Sequence, residues 1–176
     1  MPNLLLDLTH EFQRHKYLAD VAMANLSDAD FFRRPAEQVN PIALIVKHLA
    51  GSLVSRWSDF LTTDGDKPWR DRDAEFVIEA ADTRSKLMTT WEAGWSALFK
   101  TLAELTVSDL AKTVTIRGEP HTVQQALLRG LNHAAYHIGQ ILYVARWLNP
   151  DGRWLTIAPG ESRKHEPAYL KQPDGH

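Results

Sequence analysis

Two histidines four residues apart, His133 and His137, have the clearest potential for chemistry in this sequence. Residues four apart on a helix project from the same side, so both imidazoles can reach one ion. The surrounding residues are largely apolar, and two buried imidazoles need partners because unpaired buried polar groups are costly. A shared cation would satisfy both. Since the chain has eight histidines, the spacing also fits one core and one surface histidine.

A third histidine, His48, lies beside the apolar helical positions Ile45, Leu49 and Leu53. A helix bundle can place it opposite the first pair. Three neutral imidazoles form an incomplete coordination shell with open positions for water or substrate, as catalytic metal sites do. Nitrogen ligands suit zinc, nickel, iron or cobalt. Gln140 lies almost in line with the pair on the same helix, where it can bind a ligand or orient His133.

Several other kinds of metal site are excluded by the residues present. Ala134 replaces the general base of the His-Glu-x-x-His protease motif. The Glu-x-x-His pairs of di-iron bundles are absent, because Ile45 and Gly130 stand three residues before the histidines. The chain has no cysteine, so thiolate ligands, disulfides and a cysteine nucleophile are excluded as well. A mononuclear site remains.

The elements that must position these histidines are four long amphipathic helices, predicted from apolar residues at spacings of three and four. They cover residues 3–26, 40–61, 87–105 and 122–149. Asn40 is predicted to cap the second helix, with Pro41 as its first helical residue. Ser27 caps a short connector, and Thr122 with Gln125 matches a capping box that starts the fourth helix.

The connections complete the predicted fold. Residues 64–81 form a polar crossover loop that is longer than the usual turn between antiparallel helices, so the second and third helices can run parallel. Residues 113–116 and 121–123 flank a turn at 117–120 and predict a small hairpin. These elements predict an all-α four-helix bundle.

Length and charge restrict the class of protein further. With 176 residues, one domain over 1–176 is expected, with a polar tail from about residue 160. A formal net charge of −2 provides no overall attraction to nucleic acid or to an anionic membrane. The N-terminus has neither the basic start nor the apolar stretch of a signal peptide, so a cytoplasmic location is expected.

Three segments together resemble the DinB-like superfamily, and within it a branch labelled only as a domain of unknown function. They are residues 40–51, which contain His48, residues 67–76 of the crossover loop, and residues 132–140, which contain His133 and His137. The resemblance covers about residues 4–160.

The resemblance implies an up-down-down-up bundle, often a homodimer, in which three histidines hold one divalent ion, nickel or zinc. They map onto His48, His133 and His137. Characterised relatives include thiol S-transferases and isomerases that use bacterial low-molecular-weight thiols, together with many hydrolases assigned by similarity. The superfamily's name gives no ground for assigning nucleic-acid binding.

The expected function is that of a metal-dependent enzyme, a thiol-dependent S-transferase or a hydrolase acting on a small electrophile. Such an ion can activate a bound thiol or water, and Gln140 is a possible catalytic group. The alternative is a dimeric bundle that binds metal without catalysis, in a stress response. In a third interpretation the histidines are merely buried, and Tyr136, Tyr143 and Trp147 form a dimer interface.

Further residues could border the site. Trp69, Arg72, Asp73 and Arg117 are candidates for the pocket, although loop charges are most often solvated. The remaining histidines have weaker claims. His15 is expected to be packed or partly exposed, His121 lies near the hairpin, and His165 and His176 are in the polar tail.

Overall fold

The computed structural model describes residues 3–163, most of which are helical. Within that range, four long helices form the body of the protein. In chain order the elements are α1 (Leu4–Ala24), α2 (Asp28–Phe32), α3 (Ile42–Trp57), a 3-10 turn (Ala74–Phe76), α4 (Arg84–Glu104), a second 3-10 turn (Val107–Ala111), β1 (Thr113–Ile116), β2 (Glu119–Thr122) and α5 (Val123–Leu148). His165 and His176 lie outside the described residues.

The second and third long helices run parallel, as predicted. Near the middle of the pair, Gly94 of α4 lies against Ala50 of α3, where an added Cβ would come within 3.0 Å of the Ala50 carbonyl oxygen. Further along both helices, the Thr101 hydroxyl donates a hydrogen bond of 2.8 Å to the carbonyl oxygen of Trp57. Residue numbers therefore rise in the same direction along α3 and α4.

The other two long helices run in the opposite direction. On α1, Asp20 accepts a hydrogen bond of 2.8 Å from the Trp91 indole, and the Met23 carbonyl accepts one of 2.6 Å from Arg84. Residue numbers rise on α1 as they fall on α4, so these helices are antiparallel. The C-terminal ends of α1 and α5 border the same surface cavity. The bundle is therefore up-down-down-up, which confirms the predicted arrangement.

The crossover loop returns the chain along the outside of α3. Near the end of α3, the Ser55 hydroxyl accepts a hydrogen bond of 3.0 Å from the Lys67 backbone N–H. Near its start, Lys47 forms an ion pair of 2.8 Å with Asp82. With 16 residues, α3 is about 24 Å long. A loop that retraces this length brings the chain back to where a parallel α4 can begin.

The predicted ends of the second helix are wrong by a few residues. Pro41 has an extended backbone, with ψ of 164°, and is itself the N-cap, so Asn40 does not cap the helix. The helix ends at Trp57 because Ser58 is extended, with ψ of 128°. Phe60 lies in the turn that follows the helix. Its ring packs 4.9 Å from that of Trp57, so this apolar residue extended the predicted helical pattern beyond the true end.

Both of the other predicted caps are confirmed. The Ser27 hydroxyl accepts a hydrogen bond of 3.1 Å from the Asp30 N–H. At the start of α5, the Thr122 hydroxyl accepts from the Gln125 N–H at 3.1 Å, and the Gln125 side chain accepts from the Thr122 N–H at 2.8 Å. Each bond satisfies an amide that would otherwise lack a helical partner.

The hairpin before the last helix is also confirmed, with a tighter turn than predicted. The turn contains only Arg117 and Gly118, with φ of 56° and 74°, whereas Glu119 already belongs to β2. Two residues with positive φ are typical of the turns that match the twist of paired strands. The Asp64 carboxylate accepts hydrogen bonds from both turn amides, at 2.9 and 2.8 Å, and ties the crossover loop to the hairpin.

The core is rich in aromatic rings contributed by three of the long helices. Trp91 and Trp95 of α4 are fully buried and contact each other edge to face, with ring centroids 5.5 Å apart. Phe12 of α1 contacts Trp95 and Trp57 at 6.4 Å in the same manner.

Among the described residues, no helix has the length and apolarity required to cross a membrane.

We expect Gly94→Val to destabilise the protein by about 1–3 kcal/mol, because its side chain would overlap α3, where the Leu53 Cβ and the Ala50 carbonyl oxygen leave no space. Urea unfolding followed by circular dichroism measures this change. Gly139→Val is the matched control, since nothing lies within 4 Å of a Cβ added there. It should change stability by less than about 0.5 kcal/mol, given the similar helix propensities. Equal effects would contradict the close approach of α3 and α4.

Candidate metal centre

Three imidazoles from two helices meet at one side of the bundle. His48 is on α3, and His133 and His137 are on successive turns of α5. One ring nitrogen from each lies within 4.8 Å of the other two. The ring centroids are 4.7, 4.9 and 5.4 Å apart. The structure thus brings together the three residues that the sequence predicts as metal ligands.

A small residue allows α3 and α5 to come close enough for this cluster to form. Gly130 is one turn before His133, and a Cβ added to Gly130 would lie 2.6 Å from the Trp57 ring. The indole therefore fills the space beside the α5 backbone. Because α3 and α5 are antiparallel, His48 then faces the turns of α5 that follow Gly130.

The orientation of His48 is fixed by Glu75, a residue that the sequence analysis missed. The Glu75 carboxylate lies 2.8 Å from His48 Nδ1 and accepts a hydrogen bond from its N–H, which leaves Nε2 free to bind a metal ion. Arg70 holds the same carboxylate with two hydrogen bonds of 2.7 and 2.8 Å. Burial acts to raise the pKa of Glu75, but hydrogen bonds from His48 and Arg70 outweigh it and lower the pKa.

The space for this carboxylate is provided by Gly51, one helical turn after Lys47 and close to His48 on α3. A Cβ added to Gly51 would overlap Oε1 of Glu75 and lie 2.9 Å from its carboxyl carbon. The absence of a side chain at this position therefore allows the loop carboxylate to approach the helix and reach His48.

His137 is oriented by a neighbour on its own helix. Its Nδ1 lies 2.8 Å from Oε1 of Gln140 and donates to it, which again leaves Nε2 free. The suggestion that Gln140 orients His133 is therefore wrong, because three residues rather than seven separate the bonded pair. Gln140 is exposed and does not line the cavity beside the cluster.

The protein environment keeps two of the histidines neutral at physiological pH. Burial, together with repulsion from His137 and Arg56, lowers the pKa of His133 to about 3. Burial and repulsion from His48 and Arg72 lower the pKa of His137 to about 4, against the opposing hydrogen bond to Gln140. Metal ions bind the neutral imidazole, so these two rings are already in the required form.

The three histidines face a cavity of about 650 Å³. Of the four candidates for pocket residues, Arg72 and Arg117 line this cavity, whereas Trp69 and Asp73 do not. Trp69 is 61% exposed, and the Asp73 side chain is almost entirely exposed. The remaining polar lining comes from residues that were not predicted for the pocket: Ser52, Arg56, Arg70, Arg129, Asn132 and Tyr136.

The spacing of the missed residues could have revealed some of them. Ser52 and Arg56 follow His48 at intervals of four, so all three lie on one face of α3. Arg129 precedes His133 by the same interval on α5. The loop residues offered no comparable pattern, because position in a loop carries no fixed periodicity.

The donor set fits a divalent metal ion. Two of the three rings have Nδ1 bound to an acceptor outside the cluster, an arrangement that orients imidazole ligands in metal sites. The cluster borders an open cavity, so a bound ion would have room for further ligands. Among the described residues, the cluster contains neither His15, which is half-buried on α1, nor His121, which accepts a hydrogen bond of 2.9 Å from Arg129.

We expect Glu75→Gln to weaken the binding of Ni²⁺ or Zn²⁺ by about 10–100-fold, since loss of a carboxylate behind a histidine ligand has effects of this size. Competition with a fluorescent chelator measures the affinity. Glu92→Gln is the matched control, because Glu92 is exposed and pairs with Lys16 on another side of the bundle. Unchanged affinity in Glu75→Gln would contradict the role of Glu75 in orienting His48.

We expect metal-free protein to lose stability as the pH falls below about 6.5. The unfolded chain takes up protons at His133 and His137 near that pH, whereas pKa values of about 3 and 4 keep both neutral in the folded chain. The free energy of unfolding therefore decreases as the pH falls from about 6.5 to about 4.

Urea unfolding of chelator-treated protein at about pH 7.5 and pH 5.5 should show a loss of up to about 1.4 kcal/mol per histidine. The double variant His133→Gln/His137→Gln lacks both groups and should lose less stability over the same interval. An equal loss in the two proteins would show that these histidines are not held neutral.

Comparisons with known proteins identify a family and a fold. A family model described as a protein of unknown function, DUF1572, matches residues 2–161. No curated protein matches the chain. The crystal structure of a conserved protein from Enterococcus faecalis is similar, with a TM-score of 0.63 and 17% identity over 83% of this chain and 97% of that one. At this identity the similarity establishes the fold alone. Because the family model covers nearly the whole chain, the protein belongs to the DUF1572 family.

Proposed function

We propose that this DUF1572 protein is a mononuclear metal enzyme of the DinB-like superfamily that acts on a small molecule. The observation that supports this proposal is the cluster of His48, His133 and His137 at the wall of a cavity of about 650 Å³. Structural metal sites are closed by four protein ligands, whereas catalytic sites keep positions open to substrate. Three imidazoles beside a cavity of this size match the second kind of site.

The proposed ligands are the three histidines, and nickel or zinc is the proposed ion. A divalent ion in this position would lower the pKa of a bound thiol or water. Around it, Glu75 holds His48 in the tautomer with Nε2 unprotonated, and Gln140 does the same for His137. These two side chains are positioning residues, because they act through the histidines.

Attack of a thiol on the electrophile is better supported than hydrolysis by water. Among the described residues that line the cavity there is no Asp or Glu to act as general base on a water molecule. A thiol needs less help than water, since its lower pKa makes the nucleophilic thiolate accessible. In the proposed reaction the thiol sulfur forms a bond to an electrophilic carbon. The bond between that carbon and its leaving atom, a halide or an epoxide oxygen, breaks. The leaving atom takes the electron pair, and the thiol proton passes to solvent or to the epoxide oxygen.

The homodimer suggested by the resemblance stays a prediction. Tyr143 and Trp147 on α5 are 76% and 47% exposed, and Tyr17 on α1 is 66% exposed. Large exposed aromatic rings are more common at interfaces than elsewhere on protein surfaces. Tyr136 lines the cavity beside the histidines, so it has a place in the proposed site as well.

We expect protein purified without a histidine tag to bind about one equivalent of Ni²⁺ or Zn²⁺, and His133→Ala to bind less than about a tenth of that amount. Elemental analysis after dialysis measures both. His10→Ala is the control, because His10 is an exposed histidine on α1, away from the cluster. Full metal retention in His133→Ala, with native helix content, would contradict the ligand assignment.

The metal-loaded protein is then offered a chloronitrobenzene or an epoxide with a panel of small thiols, and the products are identified by mass spectrometry. A new carbon–sulfur bond that forms with the parent and not with His133→Ala supports the transferase. Metal binding without turnover of any pair would favour the alternative of a metal-binding protein without catalysis.

A further inference from the structure

The cavity beside the histidine cluster has a strongly cationic wall. Five arginines line it, two from α3 and α5 and three from the crossover loop and hairpin. They are Arg56, Arg70, Arg72, Arg117 and Arg129. The described lining residues include no carboxylate that faces the cavity. This concentration of charge is local, since the formal net charge of the whole chain is −2.

Four of the five arginines have side-chain partners in the structure. Arg70 pairs with the buried Glu75. Arg117 contacts Asp66 at 3.0 Å, and Arg129 lies 2.9 Å from the His121 ring and 3.8 Å from Glu119. Arg72 stacks on the ring of Phe76, with its guanidinium carbon 5.2 Å from the ring centre. These contacts hold the guanidinium groups in place at the cavity wall.

Arg56 differs from the other four. Its Nε atom is buried and has no hydrogen-bond partner among the residues that the structure describes. Burial, followed by repulsion from Arg129, Arg70 and Arg117, lowers the pKa of Arg56 to about 10. A buried donor on a charged group is costly to leave unpaired, and the nearby arginines add to that cost.

Arg56 also lies close to the candidate metal ligands. Its charge is among the causes that lower the pKa of His133, and it follows His48 by two helical turns on the same face of α3. A group bound by Arg56 would therefore lie beside whatever occupies the histidine cluster.

We propose that this cavity binds the oxyanion group, carboxylate or phosphate, of a small anionic substrate, with Arg56 as its main contact and Arg129 and Arg117 at its rim. The proposal rests on the proposed function, because it names the substrate class of the same site. A planar guanidinium matches the oxygens of either group with two parallel hydrogen bonds. One bound oxyanion would supply the counter-charge that the cavity lining lacks and reduce the repulsion among the arginines.

Isothermal titration calorimetry tests the proposal with inorganic phosphate and with succinate, and with succinamide as an uncharged analogue. The full chain is titrated after chelator treatment and again after loading with Zn²⁺ or Ni²⁺. We expect at least one oxyanion to bind the chelator-treated chain at least about tenfold more tightly than succinamide binds. The phosphate and succinate arms distinguish the two sources of the oxyanion.

Arg56→Gln should weaken oxyanion binding at least about tenfold, the effect expected on losing a charged hydrogen-bond donor. Arg129→Gln should weaken it as well, and because the Arg129 side chain is 45% exposed, this variant is expected to fold even if Arg56→Gln does not. Arg34→Gln removes an equal charge from an exposed position outside the cavity and should leave the affinity unchanged.

No preference for either oxyanion over succinamide would overturn the proposal. So would an Arg34→Gln variant that loses as much affinity as Arg129→Gln, because binding would then follow net charge alone. The metal-free titration separates this inference from the proposed function. If the chain binds an oxyanion but takes up no metal, the anion site is supported and the proposed metal enzyme is contradicted. If it takes up metal but shows no preference for an oxyanion, the metal site is supported and the anion site is contradicted.

Discussion

The buried contact among His48, Glu75 and Arg70 is the interaction on which the rest of the site depends. It joins the crossover loop to α3 through a carboxylate that is only 7% exposed. A buried carboxylate is tolerated only when its charge and its lone pairs are satisfied, and here a guanidinium and an imidazole N–H do so. The same contact fixes the histidine tautomer and the path of the loop, which places Arg72 and Phe76 on the cavity wall.

Periodicity explains why most of the fold could be predicted from sequence. The apolar stripes of the long helices are buried as expected, and the spacing of His133 and His137 placed both rings on one side of α5. The prediction was wrong where the apolar pattern continued beyond the end of the helical backbone. Phe60 is buried from a turn, so its apolar side chain made α3 appear longer than it is.

Glu75 could not be found in this way, because nothing local in the loop distinguishes its carboxylate from the exposed ones of Asp71 and Asp73. Its role arises from the path of a loop that retraces α3, and that path depends on long-range contacts such as the ion pair of Lys47 with Asp82. The helix itself determines which way a helical side chain points. The orientation of a loop side chain depends instead on the tertiary contacts that fix the loop in the folded bundle.

The missing side chain at Gly51 makes two distant positions in the sequence interdependent. The volume that a Cβ would occupy at residue 51 is filled by the carboxylate of residue 75, so a larger residue on the helix requires a shorter acid or a displaced loop. Among related chains, the two positions should therefore change together. A relative that keeps all three histidines but carries a bulky residue in place of Gly51 would have to hold its His48 equivalent by another acceptor.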